Sequence, residues 1–236
     1  MIGALAALGS SVTWAIGTQV YPKLASEYSP FEVNGGRALV ALPLFFVLSL
    51  IVGGAQGWAL VGTSHVGWLL LSMISSYFLG DACFMWSTRA LGIPGALAVA
   101  SSYPVWTAFA GVLFRGEILA SRQWLGIALA VLGTVVVILS GYSSRRSSQA
   151  AGEEVSGFGA GVVFGLLTSG FWALNSWAVA EGGKGISPWV GNSIRMIIAL
   201  VLCGSASSLL RRRPVVSIPY STLRPYLPIF ALEAFG

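Results

Sequence analysis

The chain has 236 residues, 56% of them hydrophobic and only 9% charged, with a mean hydropathy of +0.80. So few polar side chains cannot coat a soluble globule, and the composition implies an all-α, polytopic membrane helix bundle. The net charge of +5 does not imply nucleic acid, because the basic residues (Lys23, Arg89, Arg115, Arg122, Arg145, Arg146, Lys184, Arg211, Arg212, Arg213) fall in turns between apolar runs, where they meet headgroups and set topology.

A membrane helix needs about 20 apolar residues. Such stretches are predicted at about Ile2 to Val20, Pro30 to Gly53, Gly67 to Trp86, Pro94 to Phe114, Trp124 to Tyr142, Gly157 to Ala180 and Pro188 to Leu210. These are seven complete spans. An eighth is expected to open at Tyr226 and to be cut at Gly236. Met1-Ile2-Gly3 carries none of the basic residues of a secretory signal, so the first stretch is expected to stay as a helix.

Ser29 before Pro30, with Glu32 three residues on, predicts a capping box that starts the second span sharply. Pro94 is expected to open the fourth span, and Pro104, after Ser101-Ser102-Tyr103, to interrupt it. The polar run from Ser143 to Glu154 reads as a linker, and Trp58, Trp68, Trp124, Tyr142, Trp189 and Tyr220 lie near span ends as interfacial aromatics.

The second half repeats the first. Ser29-Pro30-Phe31-Glu32-Val33-Asn34-Gly35-Gly36-Arg37 returns as Ser187-Pro188-Trp189-Val190-Gly191-Asn192-Ser193-Ile194-Arg195 at a constant separation of 158 residues, which also carries Trp14 onto Trp172 and Ser11 onto Ser169. A duplicated membrane unit is the inference. It gives a first repeat of five spans over 1–142, a linker over 143–156 and an incomplete second repeat over 157–236, so the intact protein is expected to have about ten spans. The two copies are similar without being identical, since Val190 stands where Glu32 stood. Small residues every four positions, Gly3, Ala7 and Ser11, then Gly157, Gly161, Gly165 and Ser169, predict close helix contacts in both copies.

Arg37 and Arg195 lie eight residues past their helix-start serines, roughly 12 Å along the axis. A central arginine costs about 2.5–3.5 kcal/mol on insertion scales. Asn34 and Asn192 precede them by three residues, on the same helical face. Two readings stand: a polar lining around a midplane substrate site, or arginines tied to backbone carbonyls or snorkelling to the headgroups. Asp81 is the acid deep in the third span, expected to pair with Arg37 or to bind protons or a cationic substrate. Arg89 and Glu117 are assigned to span ends. Trp14 and Trp172 either stack on substrate or pack, and Tyr103 with Pro104 lines the bend of the fourth span.

Neither a phosphate-binding glycine loop nor metal spacing occurs, and His65 reads as a lone histidine in a turn. Gly80-Asp81 lacks the second mid-span carboxylate an intramembrane aspartic protease needs. Cys83 and Cys203, inside spans, read as packing residues. The expectation is a non-enzymatic protein with no cofactor or metal.

The run Leu79-Gly80-Asp81-Ala82-Cys83-Phe84-Met85-Trp86-Ser87-Thr88-Arg89-Ala90-Leu91-Gly92, then Ser101-Ser102-Tyr103-Pro104-Val105-Trp106-Thr107-Ala108 and Leu113-Phe114-Arg115-Gly116-Glu117, resembles EamA-type permeases of the drug/metabolite transporter superfamily. The resemblance implies two inverted five-helix repeats in the inner (plasma) membrane, carrying small metabolites such as amino acids and their relatives, or drugs. It also implies a cytoplasmic N-terminus. A count of basic residues in the turns gives the opposite, eight on one side (Lys23, Arg89, Arg145, Arg146, Arg211, Arg212, Arg213, Arg224) against three (Arg115, Arg122, Lys184).

The expectation is therefore a secondary transporter working by alternating access, with Trp14, Asn34, Arg37, Asp81, Tyr103, Pro104, Trp172, Asn192 and Arg195 along the substrate path. Its partners would be a small-molecule substrate, membrane lipid and, as one option, a second copy in a homodimer. The alternative is an incomplete, non-transporting membrane protein or helper subunit.

Overall fold

Ser29 opens the first long helix as the sequence requires. Its hydroxyl accepts the Glu32 N–H at 3.2 Å while the Glu32 carboxylate accepts the Ser29 N–H at 2.7 Å, with Pro30 in the first turn. The computed structural model describes residues 9, 12, 13, 15–17, 24, 27–150, 157–211 and 218–235. Most of the expected first span lies outside these, including Gly3, Ala7, Ser11 and Trp14, as do residues 151–156.

The helices are α1 (Pro30–Leu48), α2 (Gly54–Ala59), α3 (Thr63–Met73), α4 (Asp81–Ala100), α5 (Tyr103–Arg115), α6 (Ser121–Ala150), α7 (Phe158–Gly182), α8 (Pro188–Arg211), α9 (Tyr220–Leu223) and α10 (Leu227–Phe235). Wider π-helical turns, Ser49–Gly53 and Ile74–Gly80, follow α1 and α3. Among the described residues there is no strand, and the fold is an all-α membrane helix bundle.

Among the described residues, five helical runs are long and apolar enough to cross a membrane: Pro30–Val52, Thr63–Arg115, Ser121–Gly141, Phe158–Gly182 and Pro188–Leu210. The second has 53 residues, about 80 Å of helix against a core of about 30 Å. It breaks at Gly92, whose φ of 74° belongs to the left-handed region, two residues before Pro94. Pro94 thus opens a new segment, and that segment is broken again at Ser101-Ser102, where Pro104 falls in the first turn of α5. Two expected boundaries move. The third span begins at Thr63 rather than Gly67, and α6 continues past Tyr142 through Ala150, so the first part of the expected linker is helical. Serine and arginine tolerate helix wherever the backbone bonds persist, and composition alone does not mark that stop.

By packing, the chain forms two compact units, Met1–Phe78 with Ala178–Gly236, and Leu79–Trp177. This grouping is independent of the sequence repeat, since the first unit holds both α1 from the first copy and α8 from the second.

In the first unit α1 packs along α8, and α3 and α10 add to the pair. Ala38, Ala41 and Phe45 of α1 meet Met196 and Ala199 of α8 with Met73 of α3, small residues allowing close approach. The end of α1 meets the start of α8, with Phe45 and Trp189 rings 6.3 Å apart, so these equivalent helices run antiparallel. His65, at the start of α3, bonds the Lys184 carbonyl after α7 at 3.0 Å.

In the second unit the glycine ridge of α7 lies against α4. A Cβ on Gly161 would stand 2.7 Å from that of Ala90, and one on Gly165 would stand 2.8 Å from Val99 Cγ1. The Ser87 hydroxyl donates to the Gly161 carbonyl at 2.8 Å, and Ser169 and Ser102 share a hydrogen bond of 2.8 Å. This ridge is the helix contact its spacing predicts. Opposite in character is α6, where Leu125, Leu129, Val131, Leu132, Val135, Val136 and Leu139 are all exposed, as a helix facing lipid requires.

Candidate functional site

Helix geometry places Asn34 below Arg37 and Asn192 below Arg195. In both copies the guanidinium Nη1 donates to the asparagine Oδ1, at 2.8 Å in the first and 3.0 Å in the second. Both arginines then reach the third span. Arg37 lies over the Tyr77 ring, 4.7 Å from its centre, and Asn34 Nδ2 donates to the Tyr77 carbonyl at 2.7 Å. Arg195 Nε donates to the Ser72 hydroxyl at 3.2 Å. The two contact points are five residues apart, about 7.5 Å along a helix axis.

Tyr77 stands inside the π-helical turn Ile74–Gly80. A π turn interrupts the regular backbone ladder and recurs at functional positions, and here its Tyr77 carbonyl faces an asparagine of another helix. Arg37 is only 6% exposed, which excludes snorkelling to the headgroups for this residue. Arg195 is half-buried.

In the second unit Asp81 is buried and its Oδ1 accepts the indole N–H of Trp172 at 3.1 Å. Trp172 sits between Phe84, ring centres 5.4 Å apart, and Tyr103, edge-on at 6.5 Å. Below it, Thr168 donates to the Phe164 carbonyl at 2.8 Å and approaches the Gly80 carbonyl at 3.3 Å. Asp81, Trp172 and Tyr103 are therefore brought together, while Pro104 shapes the turn that presents Tyr103. Trp172 packs on rings and bonds a carboxylate at once. Trp14 lies outside the described residues. Arg89 is exposed three residues before the Gly92 break, and exposed Glu117 follows the left-handed Gly116 that ends α5, so both stand at span ends. Among the described residues no three His, Cys, Asp or Glu side chains converge to hold a metal.

Residues 1–139 match the model of the EamA-like transporter family. The chain belongs to that family. Its EamA-like sequence is 25% identical over 179 residues to an uncharacterized transporter of Archaeoglobus fulgidus, covering 74% of this chain and 57% of that protein. It is 29% identical over 158 residues to the uncharacterized transporter YwfM of Bacillus subtilis, covering 63% and 49%. With an uncharacterized transporter of Vibrio cholerae it shares 27% over 143 residues, covering 58% and 45%. The chain thus spans about half the length of the curated relatives it matches. No solved structure matches. The family model and all three relatives carry the name transporter, and the apolar helices are those of a multi-pass membrane protein.

Sequence reading missed several residues that build this EamA-like site. Ser72, Ser75 and Ser76 are all buried, and the hydroxyls of Ser75 and Ser76 donate to the Ser72 carbonyl at 3.1 and 2.8 Å. Their spacing of three and four residues on an apolar helix is a legible polar stripe. Tyr77 carries no comparable signal, because its role comes from the π turn. His65 is not in a turn but in the first turn of α3, where it caps the helix.

Proposed function

We propose that this EamA-like protein is a secondary carrier of the inner (plasma) membrane that moves a small polar metabolite, an amino-acid-like compound or drug, by alternating access between two five-helix repeats. One observation carries the reading: the same asparagine–arginine clasp occurs once in each copy, buried in the first and half-buried in the second, on helices that pack antiparallel. An arginine at membrane depth is costly and marks substrate or ion pathways, and sites of repeat-built carriers lie near the midplane where the repeats meet. Asn34, Arg37, Asn192 and Arg195 line the path on this reading. Asp81, held by Trp172, tunes its charge or couples protons, and Tyr103 and Pro104 shape the bend of the fourth span. The substrate and the surrounding lipid are the partners it entails, with a second copy of the chain in a homodimer as one further option.

The test uses the protein at the full length of its relatives. Cells expressing it are loaded with a panel of amino acids and amine drugs, and efflux is compared with Arg37→Ala and Arg195→Ala. Each variant is expected to lose transport at least tenfold, roughly the worth of one charged hydrogen bond. Unchanged efflux from well-folded variants removes the arginines from the path.

A further inference from the structure

Three side chains of the second unit meet at mid-membrane depth. Asp81 lies eleven residues before the Gly92 break (92 minus 81), Tyr103 eleven after it (103 minus 92), and Trp172 ten before the end of α7 at Gly182 (182 minus 172). Each is farther still from the other end of its span. Ten residues of helix rise about 15 Å, half of a hydrocarbon core of about 30 Å. Neighbouring hydroxyls fix the three to one another: Thr168, one turn before Trp172, approaches the carbonyl of Gly80 beside Asp81, and Ser169 shares a hydrogen bond with Ser102 beside Tyr103. Such support from adjacent residues holds a site in one geometry.

Within this unit the charge at that depth is negative. In residues 79–142 and 157–177 the other charged side chains are Arg89, Arg115, Glu117 and Arg122, all at span ends. Asp81 is 5% exposed and its Oδ1 accepts the Trp172 indole N–H at 3.1 Å, so the carboxylate stands at the nitrogen edge of the indole. A cation over the ring face at that edge meets the ring quadrupole and the carboxylate together. Buried Phe84 backs Trp172, while Trp172 and Tyr103 both keep exposed surface. An anion is repelled by Asp81, and a metal ion finds a single carboxylate among these residues. An organic ammonium ion gains from the charge and from the rings.

We propose that Asp81, Trp172 and Tyr103 form a binding site for organic ammonium ions, with the ammonium seated against the Asp81 carboxylate and the Trp172 face and its apolar body against Tyr103. This names the substrate class of the carrier, and its transport rests on the carrier reading. Binding itself is independent of Arg37 and Arg195.

The protein, at the full length of its relatives, is purified into lipid nanodiscs and titrated with tritiated benzyltrimethylammonium, a cation that does not titrate, with empty nanodiscs as the blank. Saturable binding is expected, and neopentylbenzene, its uncharged isostere, should not displace it. Asp81→Asn keeps an oxygen acceptor for the indole N–H and removes the charge, so binding should weaken at least tenfold. Trp172→Phe loses the indole N–H and the stronger ring face, and about threefold weaker binding is expected. No saturable binding by the wild type, displacement by the uncharged isostere, or an Asp81→Asn protein that melts like the wild type and binds as tightly would each overturn the site. Should Asp81→Asn not fold, the isostere and Trp172→Phe still decide. Cation binding beside unchanged efflux in Arg37→Ala and Arg195→Ala keeps this site and removes the arginines from the path. A wild type that exports amino acids, loses export in both arginine variants and binds no cation keeps the carrier and overturns this site.

Discussion

The two asparagine–arginine clasps share spacing, helix and bond, and differ in what lies beyond the bond. In the first copy the asparagine also holds the Tyr77 carbonyl and the guanidinium covers the Tyr77 ring, whereas in the second the guanidinium turns to the Ser72 hydroxyl. The first helix starts with a complete capping box, while in the second Val190 replaces the glutamate and is fully buried against Leu69, Ile186 and Ile194. The local three-residue unit is therefore common to both helices, and packing against the shared third span makes its two outcomes different.

The strongest way to break the comparison is to force identity. Val190→Glu restores the capping residue of the first copy but buries a carboxylate in an apolar cluster, and a loss of more than 3 kcal/mol is expected, read as a collapse of the folded fraction in detergent melts. Asn34→Ala removes two hydrogen bonds and Asn192→Ala one, so the first should lower stability by roughly 1 kcal/mol more than the second in the same assay. Ser72→Ala takes an acceptor from Arg195 and leaves the Tyr77 contacts of Arg37 intact. A loss of about 1–2 kcal/mol is expected, and it should shrink when combined with Arg195→Met, which a double-mutant cycle measures. Glu32→Ala gives the smallest effect, about 1 kcal/mol at the capping box. Equal losses at Asn34 and Asn192 would mean that the Tyr77 carbonyl bond adds nothing.

Much of the architecture was legible because lipid restricts the choices. Apolar length marked helices long enough to cross a membrane, Ser29 and Glu32 gave a cap that formed, and the glycines of 157–165 gave a helix contact with α4. Pro94 and Pro104 marked breaks that occur beside Gly92 and Ser101-Ser102. The boundaries at Thr63 and Ala150 were not legible, because residues at the water interface extend a helix without an apolar signature.

Sequence alone determined that asparagine and arginine come in two matching pairs, since their three-residue spacing fixes their bond within one helix turn. Tertiary structure decided everything that crosses between helices: the π turn that aims the Tyr77 carbonyl at Asn34, the Ser72 hydroxyl under Arg195, the Trp172 indole on Asp81 and the His65 ring at the Lys184 carbonyl. The reason is geometric. Bonds within a turn follow from a helical repeat that every sequence shares, whereas bonds between helices depend on rotations and offsets that the packed side chains set together.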